Sequence, residues 1–222
     1  MPVLNLSSFA LENPIIPGSV EIGSGTSTER DFPASFYYDY SYSGQLFTPA
    51  QLSGIPNGAT ITKIEWEYEI PSNGTYQITD VDIFMFQVDS TYTRFALTQQ
   101  QLNGFSGNDT AWNSAISNYT QVESNTTLSY IKVSGDPNIQ FRGKMLTTSF
   151  NNFDNTKNLC IVVHSNDGTY ESGTQTYPRI LTTFGTNGNT VYADERDSLP
   201  YADDRNVNFQ LSYTPNIKLS YS

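Results

Sequence analysis

Between residues 61 and 70 the chain alternates strictly: Ile64, Trp66, Tyr68 and Ile70 fall on one side, Lys63, Glu65, Glu67 and Glu69 on the other. Successive side chains of a strand point to opposite faces, so this period of two is a strand with one buried and one wet side. Strands of that kind belong to antiparallel sheets. The rest of the chain is built from the same material. It holds 15 Tyr and 13 Phe, and Asn, Ser and Thr together supply 69 of its 222 residues. Only 15% of the residues are charged, against about 25% in an average soluble domain. Strand formers cut up by turn formers make an all-β chain, and roughly 200–250 residues of it commonly form one sandwich domain.

Further strands follow from the same reading. Phe36, Tyr38, Tyr40 and Tyr42 alternate with Tyr37, Asp39, Ser41 and Ser43, and Thr48 followed by Pro49 signals a short helical turn. Residues 79–88 are apolar on both sides, with Phe84, Phe86 and Val88 opposite Ile83 and Met85. Such a strand lies mid-sheet or beneath a neighbouring chain. The run 158–165 is continuously apolar around Leu159, Ile161 and Val163 and reads as buried on both faces. Shorter strands are expected at 128–133, 139–146, 179–184, 190–193, 209–213 and 217–221. Asn73-Gly74 and Asn187-Gly188 carry hairpin-turn signals. Residues 1–30, with Pro14, Pro17 and a Gly/Ser/Thr run at 23–27, read as an irregular arm. It has one short edge strand near Val20 and Ile22. A single domain over 31–222 follows. The expected architecture is an antiparallel two-sheet β-sandwich wound as a jelly roll.

Charge and cysteine usage narrow the partners. With 22 acids against 11 bases the net charge is −11, which repels a phosphate backbone, so nucleic acid is not an expected partner. Cys160 is alone, so no intrachain disulfide forms. No stretch approaches 18 consecutive apolar residues, so no membrane insertion is expected, and 1–11 lacks the basic and apolar regions of a signal peptide. A histidine-based triad would have to use His164, the only histidine. It sits on a predicted buried strand beside Cys160 and Val162, and reads as a satisfied core side chain, with Cys160 as a small hydrophobe. Nucleophile-elbow, zinc-protease and phosphate-loop motifs are absent. The chain reads as non-enzymatic, with no catalytic residue.

Binding residues are sought elsewhere. The longest irregular stretch runs from about 98 to 127 and sets Phe105, Trp112 and Tyr119 among Asn, Ser and Gln. Aromatic anchors among small polar residues suit an interface or a sugar site, and the alternative is a loop that covers a sheet edge. Tyr38, Tyr40 and Tyr42 form a second candidate, a sugar-stacking platform if exposed and core if not. Asp80 and Asp82 share one face of a strand, and Asp194, Glu195, Asp197, Asp203 and Asp204 crowd a loop. No cofactor is expected. If a metal binds, calcium on Asp194, Asp197, Asp203 and Asp204 fits the oxygen chemistry, although the spacing matches no EF-hand. Solvated, turn-forming aspartates are the other reading.

Four stretches resemble a known family. They are 40–48 (YSYSGQLFT) followed by 60–64 (TITKI), 150–159 (FNNFDNTKNL), Asn189-Thr190-Val191-Tyr192 with Pro200-Tyr201-Ala202-Asp203-Asp204, and 214–219 (TPNIKL). Together they are similar to jelly-roll modules of type IX-secreted bacterial proteins and of virion proteins of phages infecting such bacteria. Thr214 stands where that family usually has Arg. The resemblance implies a structural or adhesion protein of a phage particle, located in the virion. Its contacts would be with other virion proteins, with itself as a homo-oligomer, or with a host surface glycan. The alternative it leaves is a secreted or cell-surface bacterial module that binds carbohydrate or protein.

Overall fold

A computed structural model describes residues 15–29, 33–36, 40–92, 119–167, 177–185, 190–196, 209–211 and 213–222, with the backbone alone at 40, 42, 190–196 and 209–211. Thirteen strands run through these residues. They are β1 (Gly18–Ile22), β2 (Ser27–Glu29), β3 (Tyr40–Phe47), β4 (Ile61–Glu69), β5 (Gly74–Val88), β6 (Thr120–Lys132) and β7 (Ile139–Phe150). Then come β8 (Asn158–Ser165), β9 (Arg179–Phe184), β10 (Thr190–Arg196), β11 (Phe209–Leu211), β12 (Tyr213–Pro215) and β13 (Ile217–Tyr221). One sheet has the order β1-β13-β4-β9-β12, with β2 on β9 and β7 on β4; the other has the order β11-β10-β3-β8-β5-β6. All strand pairs are antiparallel. The molecule is an all-β sandwich of two antiparallel sheets.

The core lies between the sheets. From β4 it takes Ile64, Trp66 and Tyr68, the apolar side of the alternation that opened the sequence. Facing them are Ile78, Val81, Ile83 and Met85 of β5, with Leu159, Ile161 and Val163 of β8. Two polar links cross this layer. Trp66 Nε1 donates to Gln45 Oε1 at 3.0 Å, and the hydroxyls of Tyr68 and Tyr130 meet at 3.1 Å. Each pair satisfies polar atoms that would otherwise cost free energy in an apolar interior. Burial pushes the Tyr68 and Tyr130 phenols well above their ordinary range.

The six-stranded sheet is apolar on its other face as well. Leu46, Cys160 and Phe86 stand in one register row across β3, β8 and β5, and all are buried. β8 is therefore an inner strand buried on both sides, as its continuous apolar run predicts, and β5 is an inner strand whose second face is buried at Phe86 and Val88 and partly open at Asp82 and Phe84. β1 is the edge strand expected at Val20 and Ile22, paired to β13, and β2 carries the arm onto β9.

Three local readings change. Of the expected run of four aromatics from 36 to 42, Phe36 is not in a strand and packs on Tyr130 with ring centroids 5.0 Å apart, Tyr40 and Tyr42 lie on β3, and Tyr38 lies outside the described residues. Ser41, Ser43, Gln45 and Phe47 of β3 are buried. The two Asn-Gly pairs do not close hairpins: β4 and β9 lie in the seven-stranded sheet, β5 and β10 in the six-stranded one. A turn signal reports a change of direction and says nothing about which strand becomes the partner. Residues 120–127, read as part of a long irregular stretch, are the first half of β6. The helical turn at Thr48 does form. Leu52 N–H donates to Thr48 C=O at 3.1 Å, and Gln51 Oε1 accepts from Thr48 N–H at 2.8 Å, a capping box for a turn that goes no further.

Candidate binding face on the six-stranded sheet

Rows of register across β3, β8 and β5 grade from apolar to polar. Leu46, Cys160 and Phe86 form the first row, Gly44, Val162 and Phe84 the second, Tyr42, His164 and Asp82 the third. The third row places an imidazole directly opposite a carboxylate. Burial lowers the His164 pKa, and the opposing pull of Asp82, Asp80 and a hydrogen bond with Asn166 only partly offsets it. His164 is thus held toward its neutral form. Burial also drives the Cys160 thiol well above its usual value, which suppresses the thiolate on which cysteine chemistry depends.

β6 completes the patch through irregular pairing. Its register on β5 shifts three times, between Ile78 and Val81, between Val81 and Ile83, and between Ile83 and Phe84. Each shift is an extra residue on one strand, which re-aims side chains. The last lets Val122 and Glu123 both turn inward, while Gln121 stays opposite Phe84. Asp80 and Asn125 lie at the other two shifts and take positive φ, 49° and 45°. Asp82 Oδ1 anchors the region, accepting from Asn125 N–H at 2.9 Å and from Gln121 Nε2 at 3.1 Å. Next to Asp80, Asp167 Oδ1 accepts from Thr79 Oγ1 at 2.5 Å, and Asn166 N–H donates to Asp80 C=O at 3.0 Å. Tyr119 lies at the rim, 42% exposed, and meets Phe84 edge to face with centroids 5.4 Å apart.

The face therefore combines a half-exposed phenol ring, a primary amide and a carboxylate on a scaffold that holds them still. That combination can stack and hydrogen-bond. Of the aromatic residues expected to bind, Tyr119 stands here, and the backbone of Tyr42 joins the third row. Tyr40 lies two residues earlier on β3, while Tyr38, Phe105 and Trp112 lie outside the described residues. Of the acidic set, Asp194 is on β10, paired alongside β3, and Asp197, Asp203 and Asp204 lie outside the described residues. Among the described residues no group of three or more His, Cys, Asp or Glu side chains is placed to hold a metal ion.

The sequence reading set Asp80 and Asp82 on one strand face without bringing Phe84 or His164 to them, and it assigned nothing to Gln121 and Asn125. Bulges leave no period in the sequence, so nothing marked these residues as neighbours of His164.

The family-like segments that the structure describes have structural work. In 150–159, Asp154 Oδ1 accepts from the Thr156 hydroxyl at 2.6 Å and its N–H at 3.0 Å, an Asx turn that enters β8 and lowers the carboxyl's pKa. In 214–219, Asn216 is fully buried where β12 gives way to β13. Its Nδ2 donates to Gly25 C=O at 2.8 Å and to Glu67 Oε2 at 2.7 Å, and its Oδ1 accepts from Thr183 Oγ1 at 2.9 Å. Its backbone N–H donates to Leu181 C=O and its C=O accepts from Glu67 N–H. No protein-family model, curated protein or solved structure matches the chain.

Proposed function

We propose that this chain is a non-enzymatic structural or adhesion component of a bacteriophage particle, a jelly-roll sandwich that works by contact with protein or with surface glycan. The observation that carries the reading is an exposed apolar surface at the β6–β7 turn. Ile131 is 51% exposed, Val133 57% and Ile139 46%, and Met145 lies further along β7, also exposed. Contiguous exposed apolar side chains mark interaction surfaces. The turn between them is ordered rather than loose: Asp136 N–H donates to Val133 C=O, and Asp136 Oδ2 accepts from Val133 N–H, both at 3.1 Å. An ordered turn that presents apolar side chains costs little entropy on docking.

The test is peptide mass spectrometry on density-banded phage particles and on the particle-free supernatant of the same culture. Peptides of this chain that co-band with particles support the proposal. Peptides confined to the supernatant overturn it in favour of a secreted bacterial binding module.

A further inference from the structure

We infer that the bulged β5–β6 face is a binding site for a neutral, hexose-containing glycan, with Tyr119 as the stacking ring and Gln121 and Asp82 as the groups that read hydroxyls. The inference deepens the contact-protein reading and rests on it.

A pyranose offers two things to a protein: a weakly polar C–H face and a fan of hydroxyls that both donate and accept. Tyr119 answers the first. Its ring is half-exposed and is braced by the edge-to-face contact with Phe84, so it is presented without being free to swing. Gln121 and Asp82 answer the second. Gln121 is exposed and spends one amide N–H on Asp82 Oδ1, which leaves its Oε1 as an acceptor and its other N–H as a donor. Asp82 takes both its described hydrogen bonds on Oδ1, which leaves Oδ2 as an acceptor. A planar amide coupled to a planar carboxylate matches a pair of adjacent hydroxyls. On one strand face Tyr119 and Gln121 are two residues apart, about 7 Å, which is close to the width of one sugar ring.

Charge selects among glycans. Asp80, Asp82 and Asp167 border the face, and the whole chain carries −11. Sulfated, phosphorylated or sialylated chains would be repelled, so the occupant is uncharged. The fixed backbone adds order, since the bulges at Asp80 and Asn125 hold the polar groups in place before any ligand arrives.

The experiment is a neutral oligosaccharide panel, built from glucose, galactose, mannose and N-acetylhexosamine units, titrated by heteronuclear NMR into wild-type protein and into Tyr119→Ala, Tyr119→Trp and Thr148→Ala. The site predicts shifts at 82–84 and 119–125 with at least one sugar, at least a tenfold loss for Tyr119→Ala, retention by Tyr119→Trp, and no change for Thr148→Ala, an exposed position of β7 on the other sheet. Each variant's melting temperature is compared with wild type so that unfolding is not read as lost binding. Absence of shifts across the panel, or shifts indifferent to Tyr119→Ala, overturns the site. Particle banding is read separately. Banding without sugar binding removes this site alone, whereas sugar binding without banding keeps the site and removes the virion reading.

Discussion

Asn216 shows how much one side chain can hold. Its amide and backbone join the arm at Gly25, β4 at Glu67 and β9 at Leu181 and Thr183. Thr183 Oγ1 in turn accepts from Gly25 N–H at 2.7 Å. Gly25 admits no side chain, because a Cβ there would lie 2.1 Å from Thr182 C=O. Asn216→Ala removes three hydrogen bonds to part-buried groups at once, each worth on the order of 0.5–1.5 kcal/mol. The urea midpoint should fall accordingly, with an unchanged m-value. His164 makes a second prediction at this scale. Its folded pKa is lowered from 6.5 by burial, so the unfolded chain binds the proton more readily. Its contribution to stability is therefore intact above about pH 6.5 and is lost as pH falls below that value toward the lower folded pKa. Thermal melts of wild type and His164→Gln across pH 5–8 should show the variant with the shallower acid slope.

Among the elements, the most telling pair is β6 and β7, which are edges of different sheets. Glu123, buried on β6, accepts from the Thr147 backbone N–H and from its hydroxyl on β7, and pairs with Lys144 at 3.3 Å. Arg142 on β7 donates to Ile131 C=O at 3.1 Å. These struts occupy backbone groups that would otherwise invite another strand. Glu123→Ala leaves the Thr147 amide without its acceptor and Lys144 with Thr126 Oγ1 alone, and should cost on the order of 1–3 kcal/mol. Native-state hydrogen exchange at Thr147 should quicken more than exchange in β8. Sequence legibility divides along the same lines. β4 and β8 were readable because their burial is uniform, alternating in one and continuous in the other, and period is all a sequence displays. Of the β5–β6 ribbon only 79–88 and 128–132 were readable as strand and none of it as surface, because three register shifts break the period that assigns each side chain its face. Tyr119 was found through its type and its polar neighbours, while Asp82 and Gln121 meet only through those shifts. Likewise the sequence offered Asn216 as a motif letter, and only the meeting of four segments gives it a role.

For the molecule as a whole, the described residues expose large apolar side chains in more than one place. β5 is an inner strand flanked by β8 and β6, Ile16 on the N-terminal arm is 78% exposed, and a larger group of exposed apolar side chains gathers at the β6–β7 turn. If that surface is where copies or partner proteins meet, Ile131→Ser with Val133→Ser should shift wild-type oligomers to a slower-sedimenting species while leaving the melting temperature nearly unchanged. A wild type that sediments as one monomeric boundary, and that brings down no partner from particle preparations, removes self-association and docking together.

β13 has a consequence for the order of events during synthesis. It lies between β1 and β4, and Ser222 exchanges two backbone hydrogen bonds with Thr60, at 2.9 and 3.0 Å. The strand that completes the middle of the seven-stranded sheet is thus the last of these to leave the ribosome. Until it arrives, β4 has one long flank unpaired and Trp66 has no complete core to enter, so the nascent chain must wait, exposed, for most of its own translation. Long-range closure of this kind folds slowly, and such waiting edges stick to one another. Cells making this protein fast should therefore lose more of it to inclusion bodies than cells making it slowly, although the finished sandwich is the same.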